Sequence, residues 1–130
     1  MIKVARATLW LGGLGFLGFG LAFLIAPLET FAAAGLPMKG ALAATELRAF
    51  YGGLELALGA LLIAADLNPG ARRHGLILCL ASFGGIGLAR LLGIVLAGSA
   101  TPFLWFALAT ELTLAMLAAV SLRGIGAAKA

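Results

Sequence analysis

Cysteine and histidine are nearly missing from this sequence, with Cys79 and His74 the sole examples of each. A disulfide framework, a zinc site of Cys/His spacing and bis-histidine haem ligation within one chain are therefore excluded. Charge is scarce as well. Asp, Glu, Lys and Arg make up 11% of the residues, against about 25% in an average soluble protein. The formal net charge of +4 is not gathered into a basic stripe with interleaved aromatics, so nucleic acid is not expected as a partner. No phosphate loop, metal cluster or nucleophile triad can be assembled from the residue spacings. The expectation is a protein that is no enzyme, with no catalytic residue, metal or cofactor.

What the chain has in abundance is apolar surface. Of its 130 residues 63% are hydrophobic and the mean hydropathy is +1.14, which makes the lipid bilayer its solvent and first partner. A helix crosses the hydrocarbon in about 20 residues, and four stretches meet that length, at about 4–26, 45–65, 76–97 and 103–122. Pro27 closes the first. Thr45 is a candidate N-cap for the second, with Glu46 in its first turn against the helix dipole. DLNPG at 66–70 supplies a turn. Thr101 as cap and Pro102 at the first helical position open the fourth, and the short link 98–102 makes the last two spans an antiparallel hairpin. The expected fold is all-α: one domain over 1–130, an up-down-up-down four-helix membrane bundle.

Loop charges orient it. Lys3, Arg6, Arg72, Arg73, Arg123 and Lys129 fall on one side and Lys39 alone on the other, which by the positive-inside rule puts both termini in the cytoplasm. Arg72 and Arg73 form a short basic loop with His74, suited to anionic head groups at the membrane surface. The compact, loop-poor layout points to a bacterial inner membrane. Trp10 and Trp105 lie near span ends, as interfacial aromatics do.

Four charged residues fall inside the spans. At 1.5 Å per residue, Arg48, Glu55, Arg90 and Glu111 all lie within about 15 Å of the outer ends. Arg48, Tyr51, Gly52, Glu55 and Gly59 share one stripe of the second span. Ala107, Glu111, Ala115 and Ala118 form a groove on the fourth, and Gly87 and Gly93 bracket Arg90 on the third. Gly12, Gly15 and Gly18 recur on the first, a surface suited to close helix packing or to leaving space. A charged residue facing lipid costs about 2.5–3.5 kcal/mol on insertion scales, so the charges are expected to turn inward. Arg90 should reach Glu111 and Glu55, while Arg48 joins them or snorkels outward. Tyr51 is expected to hydrogen-bond to the cluster, and Phe50, Phe83 and Phe106 to face lipid or pack the core.

The stretches TELRAFYGGLELALG (45–59), GLARLLGIVLAG (87–98) and ELTLA (111–115) resemble the pattern of the small bacterial four-span membrane proteins of the DUF4345 family. That resemblance implies the four-span fold and no assigned activity. The residues leave three functional readings. In one, Arg48 or Arg90 holds the anionic or carbonyl head group of a lipid, quinone-like or other small amphiphilic ligand, and the glycine-rich first span leaves room for its tail. In the second, small-residue faces bind a partner membrane protein or another copy of the chain. In the third, Glu55 or Glu111 titrates in proton-coupled transport by an oligomer. A packing lock without function is the bland account of the same charges.

Overall fold

The computed structural model describes residues 1–127; Lys129, counted above among the flanking charges, lies outside the described residues. In order come α1 (Ile2–Ile25), α2 (Pro27–Ala33), α3 (Ala41–Leu47), a π-helical turn (Arg48–Gly53), α4 (Leu54–Leu67), α5 (Arg72–Ala97) and α6 (Pro102–Ala127). The segments α3, π turn and α4 form one continuous helix, Ala41–Leu67, so four helices are long and apolar enough to cross a membrane. The chain is an all-α integral membrane protein.

Element boundaries follow local chemistry. Ala26 leaves the helical region, at φ −133° and ψ 66°, because the following proline ring crowds it and offers no N–H to carry α1 further. Pro27 then opens α2 as its first residue. The Thr30 hydroxyl donates to the carbonyls of Ala26 and Ala22, at 2.6 and 3.3 Å, and so ties α2 back to the last turn of α1. The second span begins earlier than the sequence pattern suggests. Gly40, at φ +98°, precedes the first helical residue, Ala41. Thr45 is therefore not a cap: its hydroxyl turns back to the Ala41 carbonyl at 3.0 Å, and Glu46 lies beyond the first turn. Thr101 does cap α6, accepting from the Leu104 N–H at 3.3 Å while donating to the Ala34 carbonyl at 3.2 Å.

The four long helices alternate in direction. Met1 lies against Gly124, while Arg6 and Arg72 both reach Asp66. One end of the bundle, here the terminal end, thus collects the starts of α1 and α5 with the ends of α4 and α6. At the far end Arg48 meets Leu24 and Thr101 meets Ala34.

Glycine sets the closest crossing, between α1 and the second span. A Cβ on Gly59 would stand 2.7 Å from the Gly13 carbonyl oxygen, and one on Gly20 3.0 Å from that of Gly52. Gly13 and Gly20 are seven residues apart, as are Gly52 and Gly59, so two turns of each backbone meet. Gly12 packs on Phe83, Gly87 on Leu112 and Glu111, and Ala115 is buried opposite Gly84. Gly15, Gly18 and Gly93 do not serve packing: a Cβ at each would find no atom within 4 Å. An interval of three drifts by about 60° per step around a helix of 3.6 residues per turn, which carries Gly15 and Gly18 off the contact face.

The apolar core occupies the terminal half, built on Ala5, Leu9, Leu62, Leu76, Cys79 and Ala118. Phe16 and Phe83 stack at its upper limit, with ring centroids 4.3 Å apart and planes 18° apart. Above that pair the π turn leans on α1 and α3 on α2, and both scarcely touch α5 or α6. The bundle is closed at one end and splayed at the other.

Candidate functional site

The splay leaves a cavity of about 570 Å³ in the far half of the bundle. The stacked Phe16 and Phe83 belong to its wall on the core side, and Phe31, Leu36 and Met38, from α2 and the loop after it, border it at the far end. All eight phenylalanines of the chain and its one tyrosine line this space. Phe83 belongs to the apolar core and Phe50 and Phe106 are largely exposed, as the sequence pattern expects of residues that pack the core or face lipid, and all three also border the cavity. Tyr51 is held by rings, with centroids 5.0 Å from Phe23 and 5.7 Å from Phe31. Its hydroxyl has no hydrogen-bond partner among the described residues, so the anticipated bond to the charge cluster is absent.

Arg90 and Glu111 meet across α5 and α6. The guanidinium Nη2 donates to Glu111 Oε1 at 2.6 Å, and Nε donates to Oε2 at 2.8 Å and to Oε1 at 3.1 Å. Such a forked, charge-assisted contact fixes both side chains. Gly87, one turn before Arg90, permits it, since a Cβ there would sit 3.3 Å from the Glu111 Cβ. Ala107, one turn before Glu111, is half-buried and lines the cavity.

Glu55 stands apart from this pair. It lines the cavity from the second span, its Oε2 is buried with no hydrogen-bond partner, and no ion pair within 4 Å links it to Arg90 among the described residues. Arg48 lies outside the cavity altogether, exposed, its Nε donating to the Leu24 carbonyl at 3.1 Å. The charges thus resolve into one pair, one lone carboxylate that Arg90 does not reach, and Arg48 turned outward, the second of its two expected positions. The π turn explains the separation. It covers Arg48–Gly53 and inserts an extra residue into the helical turn, so Arg48 and Glu55 no longer share the stripe that an unbroken α-helix would give them. Single π turns of this kind recur at functional sites.

A second polar cluster closes the terminal end, and it was not anticipated. The Asp66 side chain is 0% exposed. Its Oδ2 accepts from Arg6 Nε at 3.1 Å and from Trp10 Nε1 at 2.9 Å, and its Oδ1 from Arg72 Nε at 2.9 Å. Arg72 Nη2 adds a bond to the Asp66 carbonyl at 2.9 Å. Arg72, Arg73 and His74 form the first turn of α5 and not the expected loop; Arg72 is committed to an internal contact, and only Arg73 of the two arginines is exposed. The signal available in the sequence was weak: Arg6 and Trp10, four apart on α1, share a face and so can converge on one acceptor. Among the described residues no group of three or more His, Cys, Asp or Glu is placed to hold a metal.

The family model described as a domain of unknown function, DUF4345, matches residues 4–122, nearly the whole chain, and the chain belongs to that family. No curated protein and no solved structure matches it.

Proposed function

We propose that this protein is a binding or accessory module, without catalytic activity, that takes a small amphiphilic molecule such as a lipid or a quinone-like compound from the bilayer into the far-end cavity. The observation that carries the reading is the cavity itself. At about 570 Å³ it falls within the usual range of small-molecule pockets, about 300–1,000 Å³, and like them it is mostly apolar with a few convergent polar groups. It also opens sideways. Phe50, Leu54 and Phe106 on its rim are 62, 50 and 66% exposed, and Leu54 lies midway along Ala41–Leu67, at a depth where the surroundings are lipid. The membrane we assign is a bacterial inner membrane with both termini cytoplasmic, the sense favoured by the loop charges.

Native mass spectrometry of the protein extracted in mild detergent tests the reading. The wild-type protein should retain a discrete small-molecule mass. Gly15→Phe should lose it, because Gly15 lines the cavity with open space beside it, so the new ring fills the void. The variant should stay folded, since replacing a glycine inside a helix raises helix propensity. Wild-type protein with no bound mass in any detergent, or a mass equally abundant in Gly15→Phe, overturns the reading.

A further inference from the structure

We infer that the polar end of the ligand is cationic, a protonated amine or quaternary ammonium carried on an apolar body; this rests on the cavity reading above. Charge distribution around the cavity points there. Three of the five acidic residues of the chain line it, Glu46, Glu55 and Glu111, while Arg90 is the only Lys or Arg among the described residues to do so. Three carboxylates against one guanidinium leave the lining formally negative in a chain that is positive overall.

Arg90 is also already engaged. Its Nε and Nη2 are both committed to Glu111, and Arg48, the other cation assigned to the spans, faces the Leu24 carbonyl outside the cavity. An anionic head group would therefore compete with Glu111 for its one counter-charge and add to the repulsion from Glu55 and Glu46. The unpartnered group is an acceptor. Glu55 Oε2 is buried with no donor, a costly state for a carboxylate oxygen unless a guest supplies the missing charge or proton. The walls suit the same guest. Aromatic faces attract cations within about 6 Å of the ring centroid, and here Phe23, Phe31 and Tyr51 form one contiguous group of rings along the lining. A carboxylate beside an aromatic wall matches an amine bearing a hydrophobic body, and the lateral opening admits one that partitions into lipid.

Equilibrium dialysis of the full chain in a nonionic detergent tests the assignment with tetraphenylphosphonium and tetraphenylborate, probes of nearly equal size and opposite charge. The protein should retain the phosphonium at least ten-fold above empty micelles and the borate no more than micelles do. Glu55→Gln should weaken phosphonium retention ten-fold or more while circular dichroism and melting stay as in wild type, and Gly15→Phe should abolish it. Competition on the unsubstituted protein reads the charge independently of any folding defect: decyltrimethylammonium should displace the phosphonium and decanol should not. Preference for the borate, displacement by decanol as well as by the ammonium, or full phosphonium retention in Glu55→Gln overturns the cationic assignment and leaves the cavity reading standing. Retention of neither probe overturns the cationic assignment as well, and an empty native mass spectrum then removes the cavity reading with it.

Discussion

The two ends of the bundle treat buried charge in opposite ways. At the terminal end Asp66 is surrounded by three side-chain donors from α1 and α5, and nothing of its side chain is left exposed. At the far end Arg90 and Glu111 satisfy each other, Glu55 satisfies no one, and a cavity separates the helices. An ionisable residue within a span is a functional hypothesis by default. The contrast shows what refines that default: the Asp66 group ties three helices together with no room left over, whereas the Glu55 group borders space a guest can fill. A lock and a site differ in satisfaction and volume, and both contain Arg beside a carboxylate.

The largest effect that tests this contrast is on stability at the terminal end. Asp66→Ala strands Arg6, Trp10 and Arg72 and removes the tie between α1, α4 and α5. Breaking a deeply buried pair costs about 3–5 kcal/mol; here the expected loss is about 2–3 kcal/mol, because the Arg6 side chain is 54% exposed and regains water. Unfolding in detergent, followed by circular dichroism, measures it. A loss no larger than that of Glu55→Gln would erase the distinction between the ends.

A second comparison sets glycine against glycine on adjoining surfaces. Gly59→Leu drives a side chain into the Gly13 carbonyl and Leu17, and overpacking of this kind costs about 1–3 kcal/mol. Gly15→Leu enters the cavity and should shift stability by no more than about 0.5 kcal/mol. Equal costs at the two positions would mean that the cavity wall is as tight as the helix crossing.

How much of this could be read beforehand depends on the range of the interaction. The four spans were legible because each is a long apolar run whose length alone meets the bilayer, and the Thr101–Pro102 start and the turn at Asn68–Gly70 are local motifs. The Arg90–Glu111 pair followed from matching depths on a hairpin whose link is short enough to fix the register. Thr45 misled because its hydroxyl, a good cap, is as well satisfied by the Ala41 carbonyl one turn back. The π turn has no residue signature comparable to a proline or a cap, and through it the Arg48–Glu55 stripe was lost. Asp66 and Trp10 lie 56 positions apart, and their meeting depends on how α1 and α4 cross, which in turn depends on Gly13, Gly20, Gly52 and Gly59. The grouping of every phenylalanine around one void is a property of all four spans at once, invisible in any single helix pattern.

The smallest expected effect is the most discriminating. Glu111→Gln removes the charge that holds Arg90 by a forked contact, and charge-assisted hydrogen bonds contribute about 1.5–3 kcal/mol, so a fall in stability toward the lower end of that range is expected beside an open cavity. Glu55→Gln has nothing comparable to lose. Its buried Oε2 meets no donor, and an amide of the same shape gives up only a charge that the ligand-free protein leaves unmatched. The unfolding midpoint of Glu55→Gln should therefore lie within about 0.5 kcal/mol of wild type, or above it. If instead Glu55→Gln falls as far as Glu111→Gln, then Glu55 holds the helices together as Asp66 does, and the far end of the bundle is a second lock. A neutral or stabilising result would make Glu55 a residue retained at no benefit to the fold, which is the expected mark of a group kept for what it binds.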